Sequence, residues 1–135
     1  MKTLTLPVIG VIRTPFTSVA GIPRQASLAP DVTGRAELFP EYEPGLRDVD
    51  QYGKVWLYYG FHGVDKVELV TRSRREGREM GVFATRSPRR PSRMGVSLVE
   101  VIAVEDAAVV FKGVDMLDGS PLLDIKPWME DSECP

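Results

Sequence analysis

Eight of the twelve arginines fall between Arg72 and Arg93, where only Glu76 and Glu79 oppose them. That stretch carries +6, and the remaining chain, with nine basic and seventeen acidic residues, carries −8; the net charge of −2 conceals the segregation. A guanidinium is a planar fork of donors that meets carboxylate or phosphate oxygens two at a time, which a lysine does not do. Residues 81–98, GVFATRSPRRPSRMGVSL, hold four of these arginines around Pro88 and Pro91. Proline fixes φ and so lowers the ordering cost of binding. The pattern reads as a braced loop that holds an anion or a nucleic acid; the plainer reading is a solvated basic loop facing acidic ones.

His62 is the single histidine, which excludes a histidine-rich metal site and leaves it the only imidazole for chemistry. It closes KVWLYYGFH, and a histidine at a strand end is more often a hydrogen-bonded structural residue. Asp115, Asp118 and Asp124 cluster in VDMLDGSPLLDIKP. Aspartates in a DG turn usually bond their own backbone; the alternative is a sharp turn over Leu117–Ser120 whose bare backbone approaches a ligand. No GxGxxG follows a strand, and there is no P-loop, HExxH or paired CxxC, so neither a Rossmann-type cofactor site nor a metal is expected. With Cys134 as the only cysteine, no internal disulfide or cysteine zinc site forms.

These residues need elements to hold them. At 135 residues, 43% hydrophobic and 27% charged, the chain is expected to be one domain over residues 1–135. Folding would hide roughly two-thirds of its unfolded surface. Apolar runs rich in Val, Ile, Phe, Tyr and Trp predict strands over 7–14, 34–39, 54–61, 67–71, 80–85, 95–105, 107–114 and 121–127, with a tight hairpin at EDAA, 105–108. The best helix candidate is short, within EYEPGLRDVDQYG (41–53). Many short strands with turn signals predict an all-β barrel or sandwich, and a barrel removes exposed edges in so small a chain. No apolar run reaches membrane-spanning length, and MKTLTLPVIG lacks the apolar core of a secretory leader, so a cytoplasmic protein without a membrane partner is expected.

In order along the chain, IGVIRTPF (9–16), GIPRQ (21–25), KVWLYYGFH, GVFATRSPRRPSRMGVSLVEV and VDMLDGSPLLDIKPW together resemble the TsaA-like family of TrmO-type tRNA methyltransferases. The resemblance implies a small non-Rossmann β-barrel with short helical turns, a cytoplasmic homodimer, and S-adenosylmethionine as methyl donor to N6 of a threonylcarbamoyl-modified adenosine beside the tRNA anticodon. Carried over by motif, the cofactor neighbourhood is Thr14, Pro15, Phe16, His62, Gly63, Arg86, Val96, Leu117, Asp118, Gly119 and Ser120. Arg86 suits the cofactor carboxylate and the Asp118–Ser120 turn its adenine or ribose edge. Two motifs depart from the family: His62-Gly63 stands for His-Gln, and RPSRMG for RPNPIG. Bacterial members commonly carry a second, smaller C-terminal domain, which is not expected here.

The expected protein is therefore a methyltransferase acting on a nitrogen of an RNA base. The amide-like N6 of adenine is a poor nucleophile, so catalysis needs orientation and a proton acceptor. His62, Asp118 and Asp124 are the candidates, with a backbone carbonyl an equal alternative. Arg89, Arg90 and Arg93 are expected to turn outward to RNA, with Arg72, Arg74, Arg75 and Arg78 extending the track. The alternatives are the same fold and cofactor acting on another RNA or a small molecule, and a non-catalytic β-barrel that binds RNA or a nucleotide.

Overall fold

A computed structural model of the chain describes residues 2–18, 31–64 and 66–133. The GIPRQ motif at 21–25 and Cys134 lie outside the described residues. Strand formation follows a period of two: in β3 (Lys54–Gly60) Val55, Leu57 and Tyr59 are buried, while Trp56 and Tyr58 are half-buried on the other face. In β6 (Met94–Glu105) the inward positions are Gly95, Ser97 and Val99. β1 (Gly10–Arg13), β2 (Thr33–Leu38), β7 (Ala108–Lys112) and β8 (Ser120–Pro127) complete a closed antiparallel barrel in the order β1-β2-β7-β6-β3-β8, with β8 returning to β1. Each barrel strand has two neighbours, so none presents an open edge. Ile12, Ala36, Val55, Leu57, Val99, Val109, Phe111 and Leu122 fill the interior.

The barrel expected from the sequence is found, with three local differences. The segments around 67–71 and 80–85 do not join it: β4 (Val70–Arg72) and β5 (Glu79–Gly81) form a separate two-stranded ribbon. Val82–Ala84 is a 3-10 turn rather than strand, and Phe83 on it is 78% exposed. The helix candidate at 41–53 resolves into the 3-10 turns Pro40–Leu46 and Val49–Gln51, of which only Leu46 is buried. The hairpin stands as expected, with Asp106 and Ala107 both at positive φ (51° and 58°), as a two-residue type I′ turn demands.

One end of the barrel is formed where β1, β3 and β7 finish and β2, β6 and β8 begin. The connections from β1 to β2, from β3 to β6 and from β7 to β8 leave and re-enter the barrel there. This rim carries nearly every residue that the sequence marks for function. Just beneath it, the Tyr59 hydroxyl donates to Ser97 Oγ at 2.8 Å, and Ser97 donates to Asp115 Oδ1 at 2.6 Å. Gly95 makes room: a Cβ there would sit 2.6 Å from the Tyr59 ring and 2.8 Å from that of Phe61.

Burial, and then the Asp115 charge, push the Tyr59 phenol far above its ordinary value. Of the four tyrosines, one is thus expected to stay protonated until the chain unfolds. Above about pH 10 the unfolded phenol loses its proton and the folded one keeps it, so stability falls as pH rises, by at most about 1.4 kcal/mol per pH unit, with no contribution below. An alkaline absorbance titration alongside a denaturation series checks this. Ionisation of Tyr59 near pH 10 in the folded protein would contradict the buried relay.

Candidate functional site

Asp118 is the hub of the rim. Its backbone N–H donates to Phe16 O at 2.7 Å, its carboxylate accepts from the Thr14 N–H at 3.0 Å, and its carbonyl accepts from His62 Nε2 at 3.1 Å. Thr14 Oγ1 adds a bond to Met116 O at 3.0 Å and receives the Phe16 N–H at 3.1 Å. Gly119 N–H reaches Ile12 O at 2.8 Å, and Ser120 Oγ donates to Leu117 O at 2.6 Å. Gly119 holds φ +84°, the left-handed region that glycine enters at little cost. The Leu117–Ser120 turn is thereby pinned to the end of β1 and to His62, two residues past the end of β3. Thr14, Phe16, His62, Leu117, Asp118, Gly119 and Ser120 form one cluster, although Thr14 and Asp118 are 104 residues apart in sequence. Gly63 adjoins it, its Cβ position 3.8 Å from the Leu117 side chain. Pro15 is exposed and faces a shallow outer groove of about 330 Å³ lined also by Arg13, Gly34, Arg35 and Glu105.

Arg86 and Val96 make a second group on the same rim. Arg86 Nη1 donates to Val96 O at a long 3.4 Å, and its side chain is exposed, so most of the guanidinium fork remains available to an anion. The 113–119 segment ties the two groups together. Asp115 bonds Ser97, the neighbour of Val96, while Asp118 holds Thr14 and His62. Ser97 and Tyr59 were not among the candidates from sequence, and Asp115 was singled out there only as part of the aspartate cluster. Their partners lie 18 and 38 residues apart, and no local pattern marks such pairing.

Asp124 is not brought to the rim. A register shift between Tyr58 and Tyr59 sets it opposite Tyr58 on the outer wall, exposed, with Oδ1 accepting the N–H of Ile125 at 2.8 Å. In the Leu117–Ser120 turn the N–H groups of Asp118, Gly119 and Ser120 all donate within the fold.

The arginines divide differently from the sequence expectation. Arg90 is half-buried and turns Nη1 back onto Thr85 O (2.9 Å) and Ser87 O (3.1 Å). Arg89 pairs with Glu68 at 3.0 Å, with both side chains well exposed. Arg93 sits at φ +51°, its carbonyl accepting the Phe61 N–H at 2.8 Å. Side chain and proline brace this loop together. Arg72, Arg74, Arg75 and Arg78 stand exposed at the tip of the β4–β5 ribbon, where Ser73 N–H to Arg78 O (2.9 Å) closes the turn. Among the described residues no group of three or more His, Cys, Asp or Glu gathers as a metal site, and no helix is long and apolar enough to cross a membrane.

The chain is 39% identical over 123 residues to a probable S-adenosyl-L-methionine-binding protein of Pyrococcus abyssi, covering 91% of this chain and 67% of that one. It is 37% identical over 139 residues to the tRNA (adenine(37)-N6)-methyltransferase of Mus musculus, covering 98% of this chain and 32% of the mouse protein. The crystal structure of TrmO from Pseudomonas aeruginosa superposes with a TM-score of 0.81 at 35% identity, over 98% of this chain and 59% of that one. The chain thus spans from a third to two-thirds of the length of these relatives. Residues 11–134, from β1 to the last short helix, match the family described as the tRNA-methyltransferase O N-terminal domain, and with the barrel in common the chain belongs to that family.

Proposed function

We propose that this barrel is an S-adenosylmethionine-dependent methyltransferase acting on N6 of an adenosine in tRNA. The observation that carries the reading is the rim itself: six residues from three distant segments are locked around Asp118, with the Arg86 guanidinium on the same rim. The names of the relatives agree, one a tRNA (adenine(37)-N6)-methyltransferase and one an S-adenosyl-L-methionine-binding protein.

The residues present fit the cofactor. Arg86 offers charge-assisted donors to a carboxylate, His62 Nδ1 is buried without a hydrogen-bond partner among the described residues, and Phe16 and Leu117 supply apolar faces at the same rim. When bound, S-adenosylmethionine supplies a methyl group on a sulfonium centre. The chain's own part is to orient the acceptor and to take the N6 proton. For that proton His62 and the second oxygen of Asp118 stand at the rim, whereas Asp124 on the outer wall does not.

The test is transfer of labelled methyl to total tRNA from cells with and without threonylcarbamoyl modification. Label is expected only in the modified pool. Label in an unmodified pool or another RNA moves the acceptor and keeps the enzyme; no transfer, together with no cofactor binding, overturns the reading. We also propose a cytoplasmic homodimer, for which light scattering should give about twice 15.0 kDa; a monomer at micromolar concentration would remove that part.

RNA binding is assigned to the ribbon tip and Arg89 more than to Arg90, whose guanidinium is partly engaged. Replacing Arg74 and Arg75 with alanine is expected to lower the slope of log tRNA affinity against log salt by about 0.7–0.9 for each phosphate that is no longer neutralised. Cofactor affinity should not change. Binding measured at several salt concentrations checks it, and an unaltered slope would leave the tip without a role in RNA binding.

A further inference from the structure

Arg13 and Arg35 stand directly opposite each other on β1 and β2. Like charges facing each other across an antiparallel pair repel, so the arrangement costs stability unless something holds the two side chains. Glu37 does so: its Oε1 accepts from Arg13 Nε and its Oε2 from Arg35 Nε, each at 3.4 Å. That engages only the inner nitrogen of each guanidinium. The outer Nη groups of Arg13 have no partner among the described residues, and on Arg35 only Nη1 has one, Glu105 at 3.9 Å. Two forks set side by side by one carboxylate are arranged for an anion with several oxygens.

The two arginines, with Thr14, Pro15 and Gly34, line the groove of about 330 Å³ on the outer wall. It begins at the rim, because Thr14, next to Arg13, gives its N–H to the Asp118 carboxylate at 3.0 Å. Glu37 and Glu105 match the arginines in number, but their pairs are long and 35–59% exposed, and exposed pairs are worth little. Charge-assisted bonds from two guanidinia to one phosphate outweigh them.

The strand order says which phosphate. In the ring β1-β2-β7-β6-β3-β8 the β1–β2 pair lies opposite the β6–β3 pair. The arginine-tipped ribbon belongs to the connection from β3 to β6, so the rim lies between two arginine groups on opposite sides of the barrel. A nucleotide whose base enters the rim has a phosphate on each side of its sugar.

We propose that the Arg13–Arg35 groove binds a backbone phosphate of the RNA next to the acceptor nucleotide, on the side of the rim away from the ribbon. The inference rests on the methyltransferase reading and gives it a second RNA contact.

The test uses an anticodon stem-loop RNA, either intact or with one neutral methylphosphonate in place of the phosphate 5′ or 3′ of the acceptor adenosine. Binding is measured at several salt concentrations for wild type and for Arg13→Gln/Arg35→Gln. The double variant should bind intact RNA about tenfold more weakly, with the slope of log affinity against log salt lower by about 0.7–0.9. One of the two methylphosphonates should weaken the wild type by a similar factor and have no effect on the double variant, whose partner groups are already gone. Affinity for S-adenosylmethionine should stay within about twofold. Arginines that only brace β1 against β2 would not single out one phosphate. Arg35→Gln alone repeats the comparison with β1 untouched, should the double variant fold poorly.

If the variants match wild type in RNA affinity and slope, or if both methylphosphonates act on them as on wild type, the inference fails and the methyltransferase reading survives. If cofactor affinity falls together with RNA affinity, the arginines act through Thr14 and the inference fails as well. A wild type that binds cofactor but no RNA also overturns the inference; one that binds neither overturns both.

Discussion

Arg86→Ala is expected to bind S-adenosylmethionine about a hundredfold more weakly than wild type while unfolding at nearly the same denaturant concentration. A guanidinium gives a carboxylate up to two charge-assisted bonds, each worth about 1.5–3 kcal/mol, and about 1.4 kcal/mol is a factor of ten. Within the described residues Arg86 is lightly held: its side chain is exposed, its bond to Val96 O is a long 3.4 Å, and its charge is felt at the Tyr59 phenol. Exposed substitutions of that kind usually change stability by less than about 0.5 kcal/mol. Calorimetric titration beside a urea series separates the two effects. Unchanged affinity in a folded variant would take Arg86 out of the cofactor site. A large loss of stability would instead make it a structural residue joining the 82–93 loop to β6.

Gly10→Ala should cost more than any other alanine substitution in the barrel wall, more than about 3 kcal/mol, which is a large part of the 5–15 kcal/mol that holds a typical domain folded. A Cβ at Gly10 would overlap the carbonyl oxygen of Glu37 and come within 2.9 Å of both its carbonyl carbon and Leu38 Cα. These are backbone atoms of β2, fixed by pairing with β1 on one side and β7 on the other, so they cannot give way as a side-chain tip would. In a closed barrel the strain cannot be shed by moving an edge strand outward, because there is none. Gly53→Ala is the control, having nothing within 4 Å, and should be close to neutral. Equal midpoints for the two variants would mean that β1 and β2 are less tightly held than described.

By itself the sequence determined what depends on neighbours along the chain. Alternation with a period of two put β3, β6 and β7 within a few residues of their true bounds, because each has one face in the barrel core. The EDAA turn was legible because it interrupts two apolar runs, and in the structure it takes the two successive positive φ values of a two-residue hairpin. The motif residues were legible as types suited to the chemistry, and most of them end or begin a strand, which is why one rim collects them.

The tertiary structure alone decided which of those residues meet. Asp118 and Asp124 lie in one short motif, yet a register shift opposite β3 sends Asp124 to the outer wall while Asp118 stays in the clamp. Val70 on the ribbon and Phe83 on the 3-10 turn after it look like core residues, yet both are exposed, while Thr71 beside Val70 is the buried one. Arg89 and Arg90 are adjacent and chemically identical; one meets Glu68 and the other the carbonyls of Thr85 and Ser87. The relay from Tyr59 through Ser97 to Asp115 joins three strand and loop segments with no shared local signal. In each case the deciding quantity is the identity of the atom across the gap. Composition and spacing fix what a side chain can do, but barrel closure fixes which partner it reaches.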